Sequence, residues 1–221
     1  VILAFGNQSR TGKDAACKAI VDMLAIPGSS ILVEQRSFAR RLKQAAALIY
    51  GDFGLRQPEF YETPEGARER NVMLPDVGMT PVQLWIHLGN TQRAAYPDVW
   101  VAPVIDDVAR DQRLVGGRPT LVVISDLRFK NEGEAILAAG GWCVQVQRPD
   151  APPPLGSDNS MGPDFPWSDV LVNDGTIEQL RAKARALAVD FLRAKSVRLG
   201  TDAPAVNQFA EAASRYAEMA K

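Results

Sequence analysis

The sequence offers little of what the commonest metal and nucleophile chemistries need. Its 221 residues include two cysteines, Cys17 and Cys143, and one histidine, His87. Neither cysteine has a second Cys or a His at metal-ligand spacing, which argues against structural zinc. A lone histidine gives little support to a Ser-His-Asp triad, and His87 is expected to pack or cap locally. No apolar run approaches the ~20 residues of a membrane span. The opening Val-Ile-Leu-Ala-Phe lacks the basic region and cleavage site of a signal peptide, so a cytoplasmic location with both thiols reduced and buried is expected. An excess of one charge is also missing: 25 Lys and Arg face 26 Asp and Glu, a net charge of −1 with a pI near 5.9. Duplex nucleic acid is bound mainly through clustered cations, so no nucleic-acid partner is expected. A local basic pocket for a small anion is compatible with this balance.

What is present is an alternation of elements. The length suits one α/β domain with insertions, and 46% hydrophobic with 23% charged residues is ordinary for a globular chain. Val1–Phe5 is a short apolar run ending at Gly6, the pattern of a buried parallel strand. Ala16, Ile20, Val21 and Leu24 then recur at helical spacing within a predicted helix over 15–24. A short strand at Ile31–Val33 and a helix over Phe38–Tyr50 follow, and 52–79 reads as irregular with short helices. Thr80-Pro81 is a helix entrance, with Gly89 expected to close that helix. Further expectations are a helix over Val99–Arg110, strands at Thr120–Ile124, Trp142–Val146 and Val170–Val172, and helices over Asn131–Ala139 and Thr176–Lys195. Residues 149–168 read as a long loop, and Phe209, Ala213, Tyr216 and Met219 as another helical pattern. Strands alternating with helices predict a parallel sheet whose ligands bind at the carboxyl ends of the strands. That places the loops after Phe5 and after Ile124 in the candidate site.

Between the first strand and helix lies Gly6-Asn7-Gln8-Ser9-Arg10-Thr11-Gly12-Lys13-Asp14. Gly12 permits close approach of a phosphate, the N–H groups at the helix start point at the anion, and Lys13 supplies a charge for the β and γ phosphates. The match to G-x-x-x-x-G-K-[ST] is imperfect. Gly6 lies one residue early, and Asn7 takes the first-glycine position, where its tolerance of left-handed angles helps. Asp14 stands where Ser or Thr normally holds magnesium, and a carboxylate can bind that metal directly or through water. After the strand 120–124 comes Ser125-Asp126-Leu127-Arg128-Phe129-Lys130-Asn131-Glu132. Asp126 is placed to reach magnesium beside the loop, and Arg128 to grip a phosphate bidentately. The plain structural roles are a turn residue for Asp126 and a surface ion pair for Arg128.

These stretches resemble the bacteriophage-type deoxynucleoside monophosphate kinases. Gly12-Lys13-Asp14 is similar to their G-K-D loop and 126–132 to their D-[VL]-R-F-x-N-E segment. Similar too are the run through Gly140-Gly141 to Arg148-Pro149, Ser37-Phe38-Ala39 with Leu42-Lys43, Gln83-Leu84 with Leu88-Gly89 through Arg93 to Trp100, and the turn Asn173-Asp174-Gly175-Thr176. The resemblance implies a three-layer P-loop kinase fold over 1–195 with an acceptor-binding and lid insertion at about 52–100, and a helical extension at 196–221. It implies Mg²⁺-dependent transfer of the γ-phosphoryl group of ATP to a deoxynucleoside 5′-monophosphate in the cytoplasm, the host's if the chain is phage-encoded. ATP would lie on Asn7, Arg10, Thr11, Gly12, Lys13, Asp14 and Ala15. The acceptor would lie on Ser37, Lys43, Arg68, Arg70, Arg93, Trp100, Arg128 and Asn131. Lys13, Arg128 and Asp126 would be catalytic, with Asp14 and Asp126 on the metal. Arg68 and Arg70 read equally as a solvated charged face, and Trp100 as core. A homodimer is allowed for, through the tail.

The sequence departs from that pattern at three places. Ala15 replaces a hydroxyl residue, Asn90-Thr91-Gln92 lacks the acidic member of G-T-E, and Asp158-Asn159-Ser160-Met161 lacks the His and Glu of H-x-S-E. Three other readings therefore stay open: another small-molecule P-loop kinase, such as the animal-type phosphomevalonate kinases that also carry G-K-D; a nucleotide-binding protein without kinase activity; and, weakest given the charge, a nucleic-acid-binding accessory protein.

Overall fold

Uninterrupted apolar runs at 2–5 and 121–124 form two neighbouring inner strands, whereas Leu32–Arg36 and Trp142–Gln147 mix polar residues into theirs. The computed structural model describes residues 1–27, 29, 31–114, 119–153 and 160–199, with the backbone alone at 112–114 and 196–199. Two units divide these residues: Val1–Arg36 with the chain from Ile105 onward, and Ser37–Val104.

The first unit is built on β1 (Ile2–Gly6), β2 (Leu32–Arg36), β3 (Thr120–Leu127), β4 (Trp142–Gln147) and β5 (Asp169–Val172). They pair in the order β2-β3-β1-β4-β5, all parallel. β1 is central and fully buried, which is why its five residues carry no polar side chain. Helices α1 (Lys13–Leu24) and α7 (Ile177–Leu199) pack on one face of the sheet. There Leu3, Phe5, Val123, Val144 and Leu171 meet Ile20, Leu180 and Phe191 in one core. Helix α6 (Lys130–Ala138) covers the opposite face, where Cys143 Sγ lies 3.6 Å from Gly133 O. The result is an α/β protein with a five-stranded parallel sheet between helical layers, the fold class expected.

The second unit holds α2 (Phe38–Tyr50), α3 (Pro64–Glu69) and α4 (Pro81–Ala95), and α5 (Ala102–Leu114) begins in it. Leu42, Leu55, Tyr61, Leu84, Trp85 and Trp100 lie within its core, with Tyr61 edge-on to Trp85 at 5.0 Å. Thr80 caps α4 as expected. Its hydroxyl accepts from Gln83 N at 3.2 Å while Gln83 Oε1 accepts from Thr80 N at 2.9 Å, an exchange that stabilises a helix start by about 1 kcal/mol.

Several boundaries differ from the expectation. α1 starts at Lys13, so Lys13 and Asp14 lie in its first turn. β2 continues to Arg36, where the guanidinium is tied to both Glu34 and Asp111. β3 continues through Ser125 and Asp126, because pairing with Gly6 carries the strand past its apolar run. α4 passes through Gly89 instead of ending there; a Cβ at Gly89 would come within 3.1 Å of Leu42 Cδ2, so this glycine serves helix packing. α5 starts at Ala102, later than expected, and His87 is exposed on α4. The tail pattern from Phe209 to Met219 lies outside the described residues.

Both thiols are buried. Burial raises Cys143 from the ordinary 9.0 to about 12. Burial, followed by the carboxylates of Asp14 and Asp126, raises Cys17 well above that ordinary value. An unfolded chain ionises these thiols first, so the contribution of Cys143 to stability is intact below about pH 9 and falls as pH rises toward 12, and that of Cys17 is likewise lost as pH rises. Neither thiol should react with an aromatic disulfide reagent in the native protein at neutral pH, and both should react on unfolding in urea. Fast reaction of the folded protein would contradict this burial.

Candidate functional site

The turn between β1 and α1 runs from Asn7 to Gly12, and its conformation follows from three residues with positive φ: Asn7 at 94°, Arg10 at 63° and Gly12 at 101°. Asn7 thus adopts the left-handed backbone that its residue type tolerates. Its amide Nδ2 also donates to Val146 O at 3.1 Å, tying the turn to the end of β4. Arg10, at the exposed tip, is a left-handed residue that no sequence signal announced.

Gly12 is required for a second reason besides its φ. A Cβ there would stand 2.7 Å from Leu180 Cδ2 and 2.9 Å from Asn173 Nδ2, so α7 and the turn before it close the space behind Gly12. Any other residue would meet both the left-handed penalty of roughly 1–2 kcal/mol and this clash. Gly12 caps α1, its carbonyl accepting from Ala16 N at 3.0 Å. Thr11 is fully buried and its hydroxyl donates to Gln8 O at 3.1 Å.

Lys13, the first residue of α1, is 7% exposed. Its ammonium donates to Asn7 O at 3.1 Å and also to Gln8 O, so the charge is held over the turn it follows. Asp14 is exposed and Ala15 half-buried on the same first turn.

The neighbouring strand brings the second carboxylate. β3 takes three steps, from Ile124 to Leu127, where β1 takes two, from Ala4 to Gly6. This bulge sets Ser125 and Asp126 beside Phe5 at the head of the turn, a device that re-aims side chains at strand ends. Asp126 is half-buried there. The carboxylates of Asp14 and Asp126 raise the Cys17 thiol and the Lys13 ammonium lowers it, after the larger effect of burial.

Arg128 and Asn131 flank the start of α6, both half-buried. The carboxylate of Glu132, 1% exposed, accepts from Arg128 N at 2.9 Å and Phe129 N at 3.1 Å. That fixes the backbone from which the Arg128 side chain departs.

The other expected acceptor residues belong to the second unit. Ser37 caps α2, accepting from Arg40 N at 3.2 Å. Lys43 Nζ lies 5.1 Å from the centre of the Trp85 ring. Arg68 is exposed, whereas Arg70 is half-buried and donates through Nε to Tyr61 O at 3.0 Å. Arg93 is half-buried on α4. Trp100 is 7% exposed within the core of this unit, its indole N–H reaching Gly89 O at 3.5 Å.

In the first unit, therefore, Asn7–Ala15, Asp126, Arg128 and Asn131 come together at the carboxyl end of the sheet. A helix start, a lysine and an arginine can take an anion. Two carboxylates offer oxygen donors to a hard divalent cation such as Mg²⁺, which needs only one or two alongside phosphate oxygens. Among the described residues no group of three or more His, Cys, Asp or Glu gathers as a metal cage, and no helix is long and apolar enough to cross a membrane. Sequence reasoning gave no role to Asn173 or Glu132; the motifs holding them were visible, but their contacts were not.

No protein-family model matches the chain. Over 195 residues it is 25% identical to an Acanthamoeba polyphaga mimivirus protein named "Putative deoxynucleotide monophosphate kinase", covering 81% of this chain and 91% of that one. Among solved structures, an unliganded sugar kinase from Janibacter sp. HTCC2649 aligns over 93% of this chain and 96% of its own, at 14% identity and a TM-score of 0.42. A likeness that distant carries no argument about activity.

Proposed function

We propose that this protein is a phosphotransferase that moves the γ-phosphoryl group of ATP to a deoxynucleoside 5′-monophosphate. The observation that carries this reading is the junction of β1 and α1, where a left-handed Gly12 delivers Lys13 to the helix start and the neighbouring strand brings Asp126 beside the end of β1. The relative of similar length in mimivirus supports it.

In this reading an acceptor phosphate oxygen attacks the γ-phosphorus, the bridging bond to the β-phosphate breaks, and ADP leaves. Asn7, Arg10, Thr11, Gly12, Lys13, Asp14 and Ala15 hold the donor phosphates through backbone N–H groups and the ammonium. Arg128 stabilises charge on the transferring group, where positioning and positive charge dominate catalysis. Asn131 lies beside it, and Ser37, Lys43, Arg68, Arg70 and Arg93 serve the acceptor. Asp14 and Asp126 hold Mg²⁺, which when bound neutralises charge on the donor phosphates. Trp100 acts on the acceptor side through the core of its own unit.

A coupled ADP-release assay with ATP, Mg²⁺ and each common deoxynucleoside or nucleoside monophosphate tests this. Release should require a monophosphate and stop when the metal is chelated. Release that needs phosphomevalonate instead would reassign the acceptor. ATP binding with no acceptor-dependent release would make this a nucleotide-binding protein without kinase activity, as the alanine at position 15 would suit.

A further inference from the structure

An anion cradle works only if its peptide N–H groups face inward and its carbonyls face out. In a trans peptide the C=O of one residue and the N–H of the next point in opposite directions. Whatever fixes the carbonyl of residue 11 therefore fixes the N–H of Gly12. The left-handed backbone at Arg10 and Gly12 leaves the intervening peptides without helix or sheet partners to hold them.

The partner comes from the far end of the chain. Asn173 follows β5, and its own N–H donates to Gln147 O at 2.7 Å, which anchors it beside the end of β4. Its side-chain Nδ2 donates to Thr11 O at 2.9 Å. The same nitrogen sits behind Gly12, where a Cβ would be 2.9 Å away. With the Thr11 carbonyl turned back toward Asn173, the Gly12 N–H points the other way, away from Asn173. Arg148 makes the weaker version of this contact one peptide earlier, Nη1 lying 3.4 Å from Arg10 O.

We infer that Asn173 is a positioning residue for the phosphate loop: its amide sets the direction of the Gly12 N–H that meets the donor phosphates. This rests on the phosphate-loop reading and adds to it a residue some 160 positions away in sequence. An aspartate of the same shape cannot donate to a carbonyl, and its charge would oppose an anion at the cradle.

The probe is inorganic tripolyphosphate, which has no base or sugar and so reports on the loop alone. Isothermal titration should show N173A binding it about 5- to 10-fold more weakly than the parent protein, the loss expected for one hydrogen bond. N173D should bind more weakly still, and thermal melts of both variants check that each is folded at the titration temperature. In the assay, KM for ATP should rise while KM for the acceptor stays constant. In the parent protein, the Gly12 amide resonance should move downfield on adding tripolyphosphate, a readout that survives if either variant fails to fold. Equal binding by parent, N173A and N173D overturns the role of Asn173 alone, whereas an unmoved Gly12 resonance when tripolyphosphate binds also removes Gly12 from the phosphate site. No binding by the parent overturns the phosphate-loop reading and this inference with it.

Discussion

Replacing Lys13 with Ala should reduce acceptor-dependent ADP release by at least about 100- to 1000-fold, the range for losing one preorganised charge-stabilising donor. The fold should survive. Ala is a good first residue for a helix, and the carbonyls of Asn7 and Gln8 to which the ammonium donates belong to half-buried residues. Gln8 O, moreover, keeps the Thr11 hydroxyl as a donor. The loss in stability should be about 1 kcal/mol, that of a typical hydrogen bond. Lys13→Met keeps most of the buried stem and should therefore melt closer to the parent while being as inactive as the alanine variant. Steady-state rates with thermal melts check both. Near-native activity in either variant would remove the phosphate-loop assignment, because no other cation lies within the β1–α1 turn except the exposed Arg10 at its tip.

The contrast between legible and hidden features follows from the range of the interactions involved. β1 and the apolar part of β3 were legible because strands buried on both faces need continuous apolar runs, and Thr80 was legible because a cap is a contact three residues long. The loop at 6–14 and the segment at 125–132 could be read for the same reason: each is a local pattern. Gly89 was misread as a helix stop because its function is to admit Leu42 from another helix, which no local rule detects. The extension of β3 through Ser125 and Asp126 was missed because polarity ended the apolar run while hydrogen bonding to β1 did not end. The reason for Gly12 was only half visible. Its left-handed backbone is a property of the turn, but the crowding by Leu180 and Asn173 arises from α7. Arg10, left-handed without the usual Gly or Asn, shows a turn whose shape is imposed by the anchors on either side of it: Asn7 on β4, and Gly12 against α7.

Arg128→Ala separates catalytic from structural roles in the same way at the second segment. The backbone N–H of Arg128 donates to Glu132 at 2.9 Å. Alanine retains that N–H, so α6 keeps its start and the rate should fall far more than the melting temperature does. The guanidinium is what alanine loses, and kcat/KM for the acceptor should fall by about 100-fold or more if it meets the transferring phosphoryl group. Arg128→Lys should recover part of the rate, since it restores the charge but not the planar fork that pairs two oxygens at once. Glu132→Ala makes the opposite trade. It keeps the guanidinium but leaves two backbone donors and the start of α6 without their buried acceptor, so it should lower the melting temperature well before it lowers the rate of the folded fraction. Measured together, a rate loss confined to the Arg128 variants and a stability loss confined to Glu132→Ala would divide the segment into a side chain that does chemistry and one that holds its backbone. Parallel loss of rate and melting temperature in Arg128→Ala would assign this arginine to the fold instead.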